Sequence, residues 1–229
     1  MNAPRPLLDI DHLVVEIQSM PALRGFSMRV SQGSMVSLVG RNGAGKTTLM
    51  RSIMGHLKPS RGAVHFEGAD LASRPRHARA ALGIGYMPED RGLVPQLTVE
   101  ENILLPLWVG KLDRKARLDF VYEAIGELAE MRHRKALQLS GGQQKLVALG
   151  RALAIGTKCL LLDEPFEGIA PALSERLSEV LASLKGKDLT FVMSQSDMNH
   201  SHGLIDAEFT IERGANLPTG NGFHASVSA

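Results

Sequence analysis

Gly40-Arg41-Asn42-Gly43-Ala44-Gly45-Lys46-Thr47 follows the apolar run Met35 to Val39, which only Ser37 interrupts, and leads into a helical pattern from Lys46 to Leu57. The eight residues satisfy G-x-x-x-x-G-K-[S/T] in the strand-loop-helix setting that gives the pattern meaning. Glycines at 40, 43 and 45 let the backbone curl so that its N–H groups turn inward, at the positive end of the following helix dipole. Such a concavity holds the phosphates of a nucleoside triphosphate. Lys46 is placed to reach the β- and γ-phosphates, the Thr47 hydroxyl to ligate Mg²⁺ and Thr48 to donate to the α-phosphate. The alternative for the same letters is a chance glycine-rich turn, which the flanking strand and helix disfavour.

Outward from this loop, Cys159 to Leu162 and Leu189 to Met193 are short continuous apolar runs, separated by a helix pattern over Ala172 to Leu184. Runs without alternation fit strands buried on both faces of a parallel sheet covered by helices. Between them and the loop, Val99 to Val109, Lys115 to Met131 and Gly142 to Ile155 have helical length and apolar spacings of three and four, which predicts a helical insert over about residues 90–155. Leu7 to Leu13 and Phe26 to Val30 alternate, and Ala63 to Phe66 stands between Gly62 and Gly68, which predicts a small antiparallel β region. The stretch from Gly214 to Ala229, rich in Gly, Asn, Pro and Ser, reads as a loose tail, leaving one folded unit over about 5–215 and 216–229 beyond it.

The 229 residues suit one domain, and 44% hydrophobic with 22% charged residues excludes disorder and collagenous repeats. A net charge of +2 with interspersed signs provides no nucleic-acid stripe. Cys159, the single cysteine, forms no internal disulfide and suits a reducing compartment. No stretch has the ~18–20 uninterrupted apolar residues of a membrane span, and Met1 to Leu8 has no signal-peptide core, so the chain is expected not to cross a bilayer by itself.

Asp163 and Glu164 follow the run Cys159 to Leu162, where a parallel strand delivers its C-terminal edge to a ligand crevice. There Asp163 suits Mg²⁺, and Glu164 suits polarising an attacking water; taken alone, the pair also fits a solvated turn. Leu139-Ser140-Gly141-Gly142-Gln143 opens a helix, with Ser140 as N-cap and Gln143 completing a capping box. The same residues make an ordinary helix start or an anion-facing helix end. None of the eight histidines forms a metal-spaced cluster with the cysteine, and His200 and His202 read as solvent-exposed.

The phosphate loop at 40–48, the Leu-Ser-Gly-Gly-Gln signature at 139–143 and the acidic pair at 163–164, in that order, resemble the ATP-binding subunit of an ABC transporter over about residues 7–213. The resemblance implies an α/β fold: a P-loop NTPase (RecA-like) core with a mostly parallel sheet, a small antiparallel β subdomain and an α-helical subdomain. It implies an ATPase with ATP and Mg²⁺ as cofactors, bound by Gly40, Arg41, Asn42, Gly43, Ala44, Gly45, Lys46, Thr47 and Thr48. Ser140, Gly141, Gly142 and Gln143 then contact a nucleotide held by a second ABC ATPase subunit in a head-to-tail dimer. Membrane permease subunits and, indirectly, an external solute-binding protein are the further partners implied, on the cytoplasmic face of an inner membrane; no nucleic acid is.

Gly83 to Ile103, containing Tyr86-Met87-Pro88-Glu89-Asp90-Arg91 and Thr98-Val99-Glu100-Glu101-Asn102-Ile103, is similar to the coupling segment of ATPases serving branched-chain amino acid importers. Pro165-Phe166-Glu167-Gly168-Ile169-Ala170-Pro171 resembles the same branch. By this likeness Glu89, where most relatives have glutamine, senses Mg²⁺ or the attacking water, and its neighbours dock a cytoplasmic helix of the permease; a plain turn with an ion pair is the other reading of Tyr86 to Arg91. Two departures stand out. The stretch Val14 to Gln18 matches the place of an adenine-stacking aromatic but contains none, and Ile17 is expected to cover the base by apolar contact, with weaker affinity and less preference for adenine. Gln195 occupies the place of a switch histidine; it bridges but never becomes a cation, which puts the catalytic weight on Glu164. A soluble ABC protein acting on DNA or ribosomes, or a module that holds ATP without turnover, are the competing functions.

Overall fold

A computed structural model describes residues 6–108, 112–196 and 203–217. Two sheets organise it. The first is antiparallel, with strands β1 (Leu8–Ile17), β2 (Met20–Val30), β4 (Arg61–Phe66) and β5 (Ala69–Asp70) in the order β2-β1-β4-β5. Its β1–β2 hairpin turns through Gln18 and Ser19, both at positive φ, as a tight right-twisted hairpin requires. Alternation in β1 buries Leu8, Ile10, Leu13 and Val15.

The second sheet holds β3 (Met35–Val39), β6 (Ile84–Met87), β7 (Cys159–Asp163), β8 (Thr190–Gln195), β9 (Ala207–Glu212) and β10 (Ala215–Asn216) in the order β10-β9-β3-β8-β7-β6. All its pairings are parallel except β9 with β10. The uninterrupted apolar runs have a simple cause, because successive side chains face opposite layers. Met35, Leu160, Leu162, Phe191 and Met193 pack into a core shared with the helices of 99–184. Val36, Leu38, Cys159, Leu161 and Val192 pack into another, with Leu49, Met50 and Ile53 and the antiparallel sheet. Burial pushes the Cys159 thiol up to about 12, which leaves it a small core hydrophobe.

Helix α1 (Lys46–Ile53) ends before the expected Leu57, because Gly55 takes a left-handed φ of 74° just past it. A short α2 (Ala78–Ala81) precedes β6. The expected 99–109 helix is α3 (Val99–Leu104) followed by a 3₁₀ turn at Leu105–Trp108, where Pro106 ends the α ladder; Val109 lies outside the described residues. The expected 115–131 helix is broken at Ile125 into α4 (Arg114–Ala124) and α5 (Gly126–Glu130). Helices α6 (Gly141–Ile155) and α7 (Pro171–Leu184) match their patterns closely.

The end of the chain corrects the expected loose tail. Gly214 turns β9 into β10, its N–H donating to Ala44 O at 2.8 Å and its carbonyl accepting from Arg24 N at 2.7 Å. The Asn216 amide then exchanges two hydrogen bonds with the Ser27 backbone, each 2.8 Å. Gly214 to Leu217 are therefore ordered against the phosphate loop and β2, and 218–229 lie outside the described residues.

Arg117 of α4 ties the helices to the end of α6. Its guanidinium donates to Ala154 O at 2.8 Å and to Leu153 O, and lies 4.7 Å from the centre of the Phe120 ring. These carbonyls are the ones a helix end leaves unpaired. Arg117→Ala is expected to cost about 2 kcal/mol, as charged hydrogen bonds do, and to lower the melting temperature by about 4–8 °C. An unchanged calorimetric melting temperature would contradict this role.

Candidate nucleotide site

The phosphate loop leaves β3 and enters α1 through Gly45, the N-cap, at φ 113° and with no side chain capping the helix. A Cβ at Gly45 would lie 3.1 Å from Ala22 O in addition to the strained φ, and one at Gly40 would lie 2.4 Å from Ile211 O. Glycine is therefore required at both positions, because the loop is pressed between β2 and β9 with no room for a Cβ there. The helix start so exposed offers N–H donors and a positive dipole end to an anion.

Lys46 reaches back over this loop. Its ammonium donates to Gly40 O, to Arg41 O at 3.2 Å and to Ser196 Oγ at 3.1 Å, and pairs with Glu164 Oε1 at 3.0 Å. Lys46 is 5% and Glu164 7% exposed, so each buried charge depends on the other. Glu164 holds a left-handed backbone, φ 48°, a strained state for a non-glycine residue of the kind that gathers at active sites. Asp163, fully buried beside it, accepts from Ser194 Oγ at 2.6 Å on one oxygen and from Tyr86 OH at 3.3 Å on the other. Burial and the Asp163 charge raise the Tyr86 pKa, keeping the phenol a donor.

A cleft of about 540 Å³ opens over these groups and brings together Asn42, Gly43, Gly45, Lys46, Thr47, Thr48, Glu89 and Glu164 of the expected residues. Partial burial and the carboxylates of Asp163, Glu167 and Glu164 raise the Glu89 pKa above its ordinary value. Gly40, Arg41 and Ala44 belong to the loop behind the lining, and Gln195 is buried at the end of β8, its carbonyl accepting from Gly40 N at 3.1 Å. Ile17 is not among the lining residues: it stands 42% exposed at the end of β1, opposite the 73% exposed Met20, while Pro21, Ala22, Arg24 and Arg213 line the cleft at the β2 end. Among the described residues no group of three or more His, Cys, Asp or Glu is arranged to hold a metal alone; His200 and His202 lie outside them. Thr47 lines the cleft, while Asp163 lies fully buried beside Glu164 and outside the lining; as oxygen donors the two suit Mg²⁺, which takes one or two protein oxygens and completes its shell with phosphates and water.

Ser140 to Gln143 stand apart from the cleft lining, at the N-terminus of α6. The capping box is formed, Gln143 N donating to Ser140 Oγ at 3.2 Å and Ser140 N to Gln143 Oε1 at 3.0 Å, on a helix end whose Ser140 and Gly141 are exposed. The segment after β6 makes a turn, Arg91 N donating to Pro88 O at 3.0 Å; the Arg91 guanidinium reaches the Gln144 amide oxygen at 2.9 Å. Arg151 of α6 holds the same segment by its Gly92 and Arg91 carbonyls, at 2.5 and 2.6 Å. Behind it lies a second, mostly apolar groove of about 670 Å³, lined by Arg51, Met54, Leu57, Tyr86, Pro88, Asp90, Leu105, Pro106 and Ile155 among others.

Sequence reasoning passed over Ser194, Ser196 and Glu167. The extended backbone expected from Phe191 onward was the available signal for the serines, since residues two apart share a face and both lie opposite Gln195. Glu167 lines the cleft, and its carbonyl accepts from the buried Lys145 ammonium, whose pKa burial lowers.

A phosphate cradle at a sheet's C-terminal edge, with a buried lysine and two carboxylates at the end of β7, which β8 separates from β3, defines a P-loop nucleoside triphosphatase. The family model described as ABC transporter matches residues 23–167. The chain is 32% identical to the high-affinity branched-chain amino acid transport ATP-binding protein BraG of Pseudomonas aeruginosa over 91% of this chain and 90% of that one. It is 30% identical to the lipopolysaccharide export system ATP-binding protein LptB of Haemophilus influenzae, over 93% and 90%. A crystal structure of a nucleotide-free ATP-binding cassette from an ABC transporter superposes with a TM-score of 0.82 at 29% identity, covering 96% of this chain and 93% of that one. The chain belongs to the ABC transporter ATP-binding family and is an ATPase of that family.

Proposed function

We propose that this ATPase drives an importer for branched-chain amino acids or related small polar solutes. In this reading the chain is a single nucleotide-binding unit that pairs head to tail with a second ABC ATPase, itself or a paralogue. It docks on permease subunits at the cytoplasmic face of a membrane and is served indirectly by an external solute-binding protein. The carrying observation is the segment after β6. Glu89 lines the nucleotide cleft, whereas its neighbours Pro88 and Asp90 line the apolar groove, so a partner helix seated in the groove moves a carboxylate of the cleft. No helix among the described residues is long and apolar enough to cross a membrane, and the groove supplies the contact with chains that do. The likeness to BraG supports the solute class; the likeness to LptB supports export of a lipid-linked glycan as the second reading.

Lys46 binds the β- and γ-phosphates and Thr48 takes the α-phosphate, while Thr47 and Asp163 would hold Mg²⁺, which would supply neutralisation of phosphate charge. Glu164 orients and deprotonates the attacking water, Gln195 bridges the γ-phosphate, and Glu89 reports partner docking. Ser140 to Gln143 serve the partner's nucleotide. The test is ATP-dependent uptake in vesicles carrying the permease, its solute-binding protein and this chain: accumulation of labelled leucine, lost with Lys46→Ala, supports the importer. Absence of uptake, with ATP turnover stimulated instead by lipopolysaccharide, favours the second reading.

The Ile17 position has its own expected result. An aromatic there adds a stacking surface, and base stacking on an aromatic is worth ~1–3 kcal/mol where substitutions have probed it, so Ile17→Tyr is expected to tighten ATP binding about tenfold and to widen its margin over GTP. No gain in a fluorescent-nucleotide titration would separate Ile17 from the base.

A further inference from the structure

We propose that Ser196 is the positioning residue for Glu164, holding its carboxylate in the orientation that meets the attacking water. The inference rests on Glu164 acting as the base. Both carboxylate oxygens are engaged by this one residue: Ser196 Oγ lies 2.6 Å from Oε1, and Ser196 N donates to Oε2 at 3.2 Å. The same hydroxyl oxygen accepts from Lys46 Nζ at 3.1 Å and lies 2.7 Å from the Asn42 side-chain oxygen. One hydroxyl proton serves only one acceptor. Turning the Asn42 amide end for end makes its NH₂ the donor to Ser196 and leaves the hydroxyl proton for Glu164. Ser196 is then a hub joining the phosphate loop, the lysine and the base.

The residue two before it performs the matching task. Ser194 Oγ donates to Asp163 Oδ1 at 2.6 Å and accepts from Glu164 N at 2.9 Å. Side chains two apart on an extended strand face the same way, so Ser194-Gln195-Ser196 at the end of β8 presents one hydroxyl to each carboxylate at the end of β7. Glu164 also holds a strained left-handed backbone, φ 48°, a state that persists only where surrounding contacts over-determine it.

Steady-state phosphate release and ATP binding are measured on the full chain with Ser196→Ala, Ser196→Thr, Glu164→Gln and the Ser196→Ala/Glu164→Gln pair. Misplacing a reacting group by about 1 Å costs on the order of 100-fold, so Ser196→Ala is expected to lower kcat by about 10- to 100-fold, with KM and the ATP dissociation constant within about twofold. Ser196→Thr, which keeps the hydroxyl, regains most of the rate, and Ser196→Ala adds no loss to Glu164→Gln. An unchanged kcat, a loss of affinity as large as the loss of rate, or full additivity in the double variant overturns the positioning role while leaving Glu164 as the base. Hydrolysis by Glu164→Gln at the parent rate overturns the base assignment and Ser196 with it.

Discussion

Glu164→Gln lowers ATP turnover by about 10²–10⁴-fold, the contribution of a well-placed general base, and leaves ATP binding in place. The amide keeps the size and hydrogen-bonding capacity of the carboxylate but takes no proton from water. The expected effect is large because no other group substitutes. Gln195 is an amide that takes no proton, and Asp163 is fully buried and outside the cleft lining, whereas Glu164 lines it. Removing the charge also frees Lys46 from its 3.0 Å ion pair, so phosphate affinity is retained or slightly raised. Single-turnover hydrolysis beside a fluorescent-ATP titration separates the two effects, and a kcat within threefold of the parent would remove Glu164 from the chemistry.

Lys46→Ala acts on the other side of the same pair. The ammonium is the buried cation aimed at the phosphate loop, and charge-assisted bonds to phosphate are worth roughly 1.5–3 kcal/mol each. Losing two of them weakens ATP binding by about 100-fold or more. The variant also strands Glu164, 7% exposed, without its counter-charge, so folding stability falls together with affinity. The double variant Lys46→Ala/Glu164→Gln is expected to regain much of the melting temperature and none of the ATP affinity. Retention of parent-like affinity by Lys46→Ala would move the nucleotide elsewhere.

Much of this arrangement is legible in the letters. The loop from Gly40 to Thr48 is a local motif whose backbone geometry depends on its own glycines, and Asp163 and Glu164 close a strand whose continuous apolar run marks two-sided burial. Where sequence reading stopped, the missing information was tertiary. β6 is four residues with Gly85 inside, packed so tightly that a Cβ there would meet Ala152 O at 2.2 Å, and nothing in Ile-Gly-Tyr-Met announces a strand. β10 is two residues in a Gly- and Asn-rich stretch that composition marks as loose, yet Gly214 and Asn216 are fixed by Ala44, Arg24 and Ser27, none of them near in the chain. Pro106 and Ile125 divide helices whose apolar spacing runs on past the break. Ser196 is an ordinary polar residue after a strand until the fold sets it 2.6 Å from Glu164.

The exposed, serine-capped start of α6 and the cleft holding Lys46 stand apart on one chain, and the proposed head-to-tail pairing would join them across two. Sedimentation of Glu164→Gln with and without ATP, alone and mixed with each candidate paralogous ATPase, tests this most directly. The predicted result is a particle of twice the 24.8 kDa chain mass that forms only with ATP and is abolished by Ser140→Arg. A Glu164→Gln protein that binds ATP yet sediments as a monomer in every mixture would contradict it.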